Sequence, residues 1–377
     1  MNPLNELIDQ GQSYWLDNLT RGKIRSGELK RRIEEEGLRG ITSNPSIFMK
    51  AITGSDDYDT QIAELAAEDK SAGEIYEALA IQDIQEACDV LRPVYDETDG
   101  KDGFVSLEVS PHLAHETDGT MEEARRLYSK VDRPNCFIKI PGTEAGLPAI
   151  EQMLYEGVNV NITLLFSIER YEEVAKAYIR ALERRAAGGQ EIQSVASVAS
   201  FFLSRIDVLV DELLGHRIIP GRESKQGARA KELLGEVAIA NAKLAYQSFV
   251  KIFNSPRWKM LQERGAKVQR PLWASTSTKN PEYSDVRYVE NLIGEHTVNT
   301  LPDSTIEAFA DHGTVRSNTI EEGVGESRET LANLDRLGID LDRVTWQLEN
   351  EGIQKFISPF EELLEAIAGK IKREMAV

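Results

Sequence analysis

Eight short apolar runs recur along roughly the first 300 residues, most of them followed by a helical pattern. They begin with Ser13–Leu16, ending at Asp17, then Gly40–Pro45, Phe104–Val109 and the run Cys136–Ile140. Val158–Thr163, Gln193–Ser200, Arg270–Ser275 and His296–Pro302 complete the set. Between them lie a charged helical stretch, Gly27–Glu36, and a stripe through Ile75, Leu79, Ile84 and Val90. Further helices are expected over Met121–Lys130, over a long segment Gly227–Phe253, and throughout from Ser304 to the end. Strands that alternate with helices point to an α/β architecture with a parallel sheet and the helices packed outside. Eight such units predict an α/β fold, a closed (β/α)8 TIM barrel with additional helices. An open doubly wound sheet is the competing arrangement, but no Gly-x-Gly-x-x-Gly follows the first run. There is no internal repeat or low-complexity linker, so residues 1–377 read as one barrel domain, with 304–377 a helical C-terminal portion packed on it.

A chain of 377 residues can bury a core of that size, and its 41% apolar and 28% charged residues are those of a water-soluble globular protein. The net charge of -19 argues against nonspecific binding to nucleic acid or to an anionic membrane, both of which need a basic surface. A local basic pocket for a phosphorylated small molecule stays compatible with it. Cys88 and Cys136 lack any paired spacing, so neither a disulfide framework nor a zinc site is expected. Met1–Glu6 carries no basic cap or apolar core, and no apolar run approaches the ~18 residues of a membrane span. The cytoplasm is the expected compartment.

The fourth run carries the residue that most needs explaining. Cys136, Ile138 and Ile140 share one parity, Phe137 and Lys139 the other, before Pro141 and Gly142 stop the strand and Thr143 is placed to cap a helix. An ammonium within an apolar strand is costly to bury unless something uses it. A desolvated lysine is a nucleophile able to form a Schiff base with a carbonyl, although a lysine at a strand end can also snorkel to water. In the fifth run Asn159, Asn161 and Thr163 share the parity expected to face the barrel interior. A polyhydroxylated substrate would satisfy two amides and a hydroxyl there, as would a polar layer that bonds to itself. Asp17 and Glu108 end their own runs, where barrel strands present side chains to the catalytic face. Each carboxylate alone is more often a cap or an ion pair. Together with one lysine they form the minimum set for Schiff-base carbon–carbon chemistry: an amine, a group that moves protons during carbinolamine loss, and a base for the cleaved alcohol.

Four motifs resemble those of the transaldolase family: Gly40-Ile-Thr-Ser-Asn-Pro-Ser, Cys136-Phe-Ile-Lys-Ile-Pro-Gly-Thr, Val160-Asn-Ile-Thr-Leu-Leu-Phe-Ser and Ser200-Phe-Phe-Leu-Ser-Arg-Ile-Asp. They occur in the family's order, and the similarity spans about Ser13 to Gly313. The resemblance implies transfer of a dihydroxyacetone unit between sugar phosphates in the pentose phosphate pathway, without a cofactor. The donor is then sedoheptulose 7-phosphate or fructose 6-phosphate, and the acceptor an aldose phosphate. It further implies Lys139 as the Schiff-base lysine and Asp17 as the group that takes the donor's C4 hydroxyl proton. Glu108 and Thr163 are implied to hold the water that relays protons at the imine carbon. Asn44, Asn161 and Ser200 are implied to bind substrate hydroxyls, and Arg205 the phosphate. The related fructose 6-phosphate aldolases are much shorter and carry glutamine and tyrosine where this chain has Glu108 and Phe202, which favours transfer over release of free dihydroxyacetone. Many transaldolases carry a second phosphate-binding arginine after the seventh strand. Here the segment reads Ala274-Ser-Thr-Ser-Thr-Lys279, and Lys279 is the candidate for that role.

The alternatives are an aldolase that releases free dihydroxyacetone and a barrel that only binds sugar phosphates. The expected partners are sugar phosphates alone, with no nucleic acid and no membrane, in a monomer or homodimer. His112, His115 and Glu116 lack good spacing for one helical face and a third ligand, so an ordinary loop is expected and no metal. The stripe Ile168, Tyr171, Val174, Tyr178, Leu182 reads as a core-facing helix. The sequence leaves open whether the long segment and the C-terminal helices close the bottom of the barrel or meet another subunit.

Overall fold

The strands form where the apolar runs predict, because each run is short, buried on both faces and followed by a helix that covers its outer side. In the computed structural model, which describes residues 2–218 and 224–374, they are β1 Gln12–Leu16, β2 Gly40–Ile41, β3 Phe104–Glu108, β4 Cys136–Pro141, β5 Val160–Leu165, β6 Ser197–Phe202, β7 Arg270–Ala274 and β8 Thr297–Leu301. All pair in parallel, in sequence order, and β8 returns to β1 to close the barrel. The β3–β4–β5 register aligns Glu108 with Lys139 and Lys139 with Asn161.

The barrel interior is filled in layers. At the N-terminal end, the Arg270 guanidinium donates to Asp102 (2.8 Å) and Ser13 (2.8 Å), while Ser13 Oγ and Trp15 Nε1 donate to the same carboxylate. Above it, Phe104 and Phe137 stack with centroids 4.1 Å apart and Trp15 lies 6.1 Å from Phe137. Full burial of rings of this size contributes roughly 2–3 kcal/mol each. Gly40 is what admits Trp15, since a Cβ there would stand 2.5 Å from the indole. The next residues along the same strands, on the same parity, are Ser106, Lys139 and Asp17. A dry aromatic layer therefore separates the polar floor from the C-terminal end.

Several boundaries differ from the sequence reading. The sixth strand begins at Ser197, and Gln193–Ala196 leads into it. The segment Gly227–Phe253 is two helices, Lys225–Leu233 and Val237–Phe253. The break falls at Gly235 (φ +69°), where Asp211 accepts from the Gly235 amide and Asp207 from Ala238, both at 2.8 Å. Those two carboxylates satisfy orphan amides at the new helix start, which makes the break stable. Val237–Phe253 packs beside helices Ile168–Ala187 and Val324–Arg336, on the barrel wall. In Ile168–Ala187 the stripe Tyr171, Val174, Tyr178 and Leu182 is buried, as its spacing predicts. Beyond β8 the chain is not helical throughout: Asp303–His312, Val324–Arg336 and Leu341–Glu374 are separated by loops at 313–323 and 337–340. The last helix neither closes the bottom nor points away. It crosses the C-terminal end of the barrel, packed on helices Pro45–Thr53 and Ala72–Glu97. Cys88 and Cys136, unrelated by spacing, are buried neighbours on a helix and on β4, and burial together with the adjoining Cys136 thiol pushes the Cys88 thiol up.

Candidate active site

Lys139 sits at the C-terminal end of β4, where Pro141 and Gly142 halt the strand, and only 5% of its surface is exposed. Thr143 fixes the turn into the next helix: its hydroxyl accepts from the Gly146 amide (2.9 Å) and donates to the Ala114 carbonyl. The Lys139 ammonium donates to the Ser43 carbonyl at 3.0 Å and faces Glu108 Oε2 at 3.2 Å. Ser43 is held by its own hydroxyl, which donates to the Ser106 carbonyl at 2.6 Å. Thus β2, only two residues long, releases the chain early enough for Thr42, Ser43 and Asn44 to turn over the barrel mouth.

Glu108 is buried, and its carboxylate receives no hydrogen bond from any other described group. Burial raises its pKa, Lys139 and Arg205 pull it down, and the nearby Asp17 pushes it up again. Asp17 accepts from Thr42 Oγ1 at 2.7 Å, and that hydroxyl shares a 2.6 Å hydrogen bond with Thr300. Burial raises the Asp17 carboxyl as well, against Lys139, the Thr42 bond, Arg205 and Lys279. One lysine and two carboxylates that resist ionisation thus share the same mouth.

Asn161 donates to Ser106 Oγ (3.1 Å) and accepts from Ser200 Oγ (2.7 Å), so a chain of polar groups crosses three strands beside the lysine. Thr163 Oγ1 is buried with no partner, at a bulge between Ile162 and Leu165 where Leu164 adopts φ +61°. A non-glycine residue in the left-handed region is unusual in a strand and turns its end inward. Asn159 is not part of this group. It precedes β5 and bonds to the Pro134 and Cys136 carbonyls and the Ala196 amide, so the expected second amide of the barrel interior serves a strand entrance instead. Asn44 has its oxygen committed to the Ile47 amide (3.0 Å) as the cap of helix Pro45–Thr53, which leaves its Nδ2 as the group able to donate.

Above this floor lies a cationic rim. Arg205 opens the helix Ser204–Gly215 after β6; its Nη1 is buried without a partner, and its guanidinium lies 5.3 Å from the Phe202 ring and 5.8 Å from the Phe356 ring. Burial lowers the Arg205 pKa, opposed by Glu108, Asp17 and Glu351. Lys279 is exposed and donates to Ser277 Oγ at 2.6 Å. Partial burial, then the positive Arg205 and Lys50, lower its pKa, opposed by Asp17.

Five contributors escaped the sequence reading in these roles. Thr42 and Ser43 lie inside the Gly40–Ser46 motif, and Thr300 lies within the eighth run, so each had a local signal. Phe356 and Gly352 had none. They sit on the last helix, with the Phe356 ring 5.7 Å from the Lys139 ammonium and Gly352 against Leu164 and Arg205. His112 lies in a short turn, edge-on to Phe360 and 3.7 Å from Glu361.

Comparison with known proteins identifies the family. The family model described as Transaldolase/Fructose-6-phosphate aldolase matches residues 14–367, which extends the similarity beyond Gly313 to include most of the last helix. A transaldolase of Trichodesmium erythraeum is 51% identical over 374 residues, covering 99% of this chain and 98% of that one. A protein named transaldolase 2 from a Nostoc species is 50% identical over 375 residues, with the same coverage, and a transaldolase of Parafrankia is 49% identical over 97% of both chains. The chain belongs to the transaldolase/fructose-6-phosphate aldolase family.

Proposed function

We propose that this enzyme is a transaldolase that moves a dihydroxyacetone unit reversibly from sedoheptulose 7-phosphate to glyceraldehyde 3-phosphate, giving erythrose 4-phosphate and fructose 6-phosphate. The observation that carries the reading is Lys139, buried at a strand end and facing Glu108 at 3.2 Å. A carboxylate whose burial raises its proton affinity is a good acceptor for the ammonium proton. The neutral amine then attacks the ketose C2 carbonyl, and the carbinolamine loses water as a proton returns from Glu108, directly or through a water held with Thr163 Oγ1. Asp17 takes the C4 hydroxyl proton while the C3–C4 bond breaks. The electron pair passes into the iminium, the aldose phosphate leaves, and the enamine of dihydroxyacetone remains on Lys139. Attack of that carbon on the acceptor aldehyde reverses the sequence, and hydrolysis frees the new ketose.

Asn161, Ser200 and the Nδ2 of Asn44 bind the hydroxyls, and Arg205 with Lys279 binds the phosphate. Phe202 presents no hydroxyl to the bound fragment, and Phe356 covers the lysine, so water has little access to the enamine during transfer. Side chains supply all of this chemistry, with no cofactor. Among the described residues no helix is long and apolar enough to cross a membrane. We place the enzyme in the cytoplasm, acting on soluble sugar phosphates without nucleic acid or membrane partners, as a monomer or homodimer. The test is turnover of fructose 6-phosphate with and without erythrose 4-phosphate. Transfer requires the acceptor and is lost in Lys139→Met; steady accumulation of dihydroxyacetone without acceptor makes the enzyme an aldolase instead. Turnover retained in Lys139→Met removes the lysine from the chemistry.

A further inference from the structure

Arg205 is half-buried, and among the described residues its guanidinium makes neither a hydrogen bond nor an ion pair. Glu108, Asp17 and Glu351 reach it only as longer-range charges. What borders the guanidinium instead is a pair of buried rings, Phe202 with its centroid 5.3 Å from Cζ and Phe356 with its centroid 5.8 Å away. Phe202 stands three residues before Arg205 and is itself packed on Phe166, with centroids 5.4 Å apart. Phe356 is brought from the far end of the chain by helix Leu341–Glu374. One turn earlier on the same helix face is Gly352, where a Cβ would stand 3.2 Å from Arg205 Nη1. The helix therefore offers the guanidinium a ring and, beside it, the space left by a missing side chain.

An arginine fixed by a carboxylate spends part of its five N–H donors on that partner. A ring face attracts the guanidinium through its quadrupole and spends none of them. We propose that Phe356 is a positioning residue for phosphate recognition. With Phe202 it holds Arg205 by π faces, which leaves the guanidinium donors free for the phosphate of the ketose. The last helix thereby becomes a determinant of selectivity for phosphorylated over unphosphorylated sugars. This inference rests on the role given to Arg205 in the proposed function. It is separable from the covering of Lys139, whose ammonium lies 5.7 Å from the same ring. A cover needs bulk, whereas the hold on Arg205 needs an electron-rich face.

The test is calorimetric titration of the full-length enzyme with fructose 6-phosphate and with fructose. The native chain is compared with Phe356→Leu and with pentafluorophenylalanine in place of Phe356, which keeps the shape of the ring but not a face that attracts cations. The readout is the ratio of the fructose Kd to the fructose 6-phosphate Kd, so an effect on Lys139 common to both ligands cancels. Both replacements are expected to lower that ratio about three- to tenfold. Arg205→Met lowers it at least as far, and the fluorinated ring then has no further effect on it. If Phe356→Leu fails to fold, the fluorinated ring, which changes no volume to speak of, carries the test. A ratio unchanged by Arg205→Met removes Arg205 from phosphate recognition, and with it the reading on which the inference rests. A ratio that falls in Arg205→Met but not with the fluorinated ring overturns the positioning role alone, as does an effect of that ring that persists in Arg205→Met.

Discussion

Gly352→Ala separates the role of the last helix as a cover from its role as a shape. The substitution places a Cβ 2.9 Å from Leu164 Cδ2 and 3.2 Å from Arg205 Nη1. Alanine in a helix interior is favoured over glycine by about 1 kcal/mol. Overpacking costs about 1–3 kcal/mol, and here Leu164 is held in a bulge at φ +61°, so Arg205 is the neighbour free to give way. The two effects nearly offset, and the urea midpoint is expected to change little or fall slightly. In the proposed function Arg205 pairs with the substrate phosphate, so displacing it would forfeit part of a charge-assisted hydrogen bond worth about 1.5–3 kcal/mol in full. A loss of roughly 1.4 kcal/mol is tenfold in kcat/KM. The assay compares fructose 6-phosphate with unphosphorylated fructose as donor, with erythrose 4-phosphate as acceptor. The phosphorylated donor is expected to lose about tenfold and fructose to stay within twofold. An equal loss for both donors would refute the Arg205 route, as would a stabilised variant with unchanged kinetics.

Asp207 is buried, and its pKa is pushed up to about 6, chiefly by burial. Because the folded state holds this proton more tightly than the unfolded one, the group's stabilising effect is present below about pH 4 and is lost as pH rises through 6, by roughly 3 kcal/mol in all. Asp207→Asn, which keeps an acceptor for the Ala238 amide, is expected to gain stability over the native chain at pH 7.5 and not at pH 4, read by urea unfolding. Arg270→Met leaves Asp102 buried without its counter-ion and is expected to cost about 3–5 kcal/mol, largely recovered by adding Asp102→Leu. Glu108→Gln is expected to slow imine formation in single-turnover trapping by 10²–10⁴-fold, with fructose 6-phosphate affinity within a few fold.

The barrel was legible because period-two runs and period-3.6 helices are local patterns, and eight of them admit few topologies. The placement of Lys139, Glu108 and Asp17 was legible for the same reason: parity and strand direction fix which side chains reach the mouth. What the sequence hid depends on long-range packing. Phe356 reaches Lys139 across more than 200 positions of chain, and nothing local in the last helix marks the ring that covers the site. The break at Gly235 was hidden because its cause, the Asp207 and Asp211 carboxylates, lies on another helix. Asn159 misled through parity alone. It stands one residue before β5, where the ladder has not yet begun, and its amide serves the Cys136 and Ala196 backbone.

The most direct measurement is borohydride reduction in the presence of fructose 6-phosphate, with the labelled peptide identified by mass spectrometry. The proposed chemistry predicts an adduct of dihydroxyacetone size on the peptide carrying Lys139, absent without substrate. An adduct on a different lysine, or none while fructose 6-phosphate still binds, contradicts Lys139 as the nucleophile.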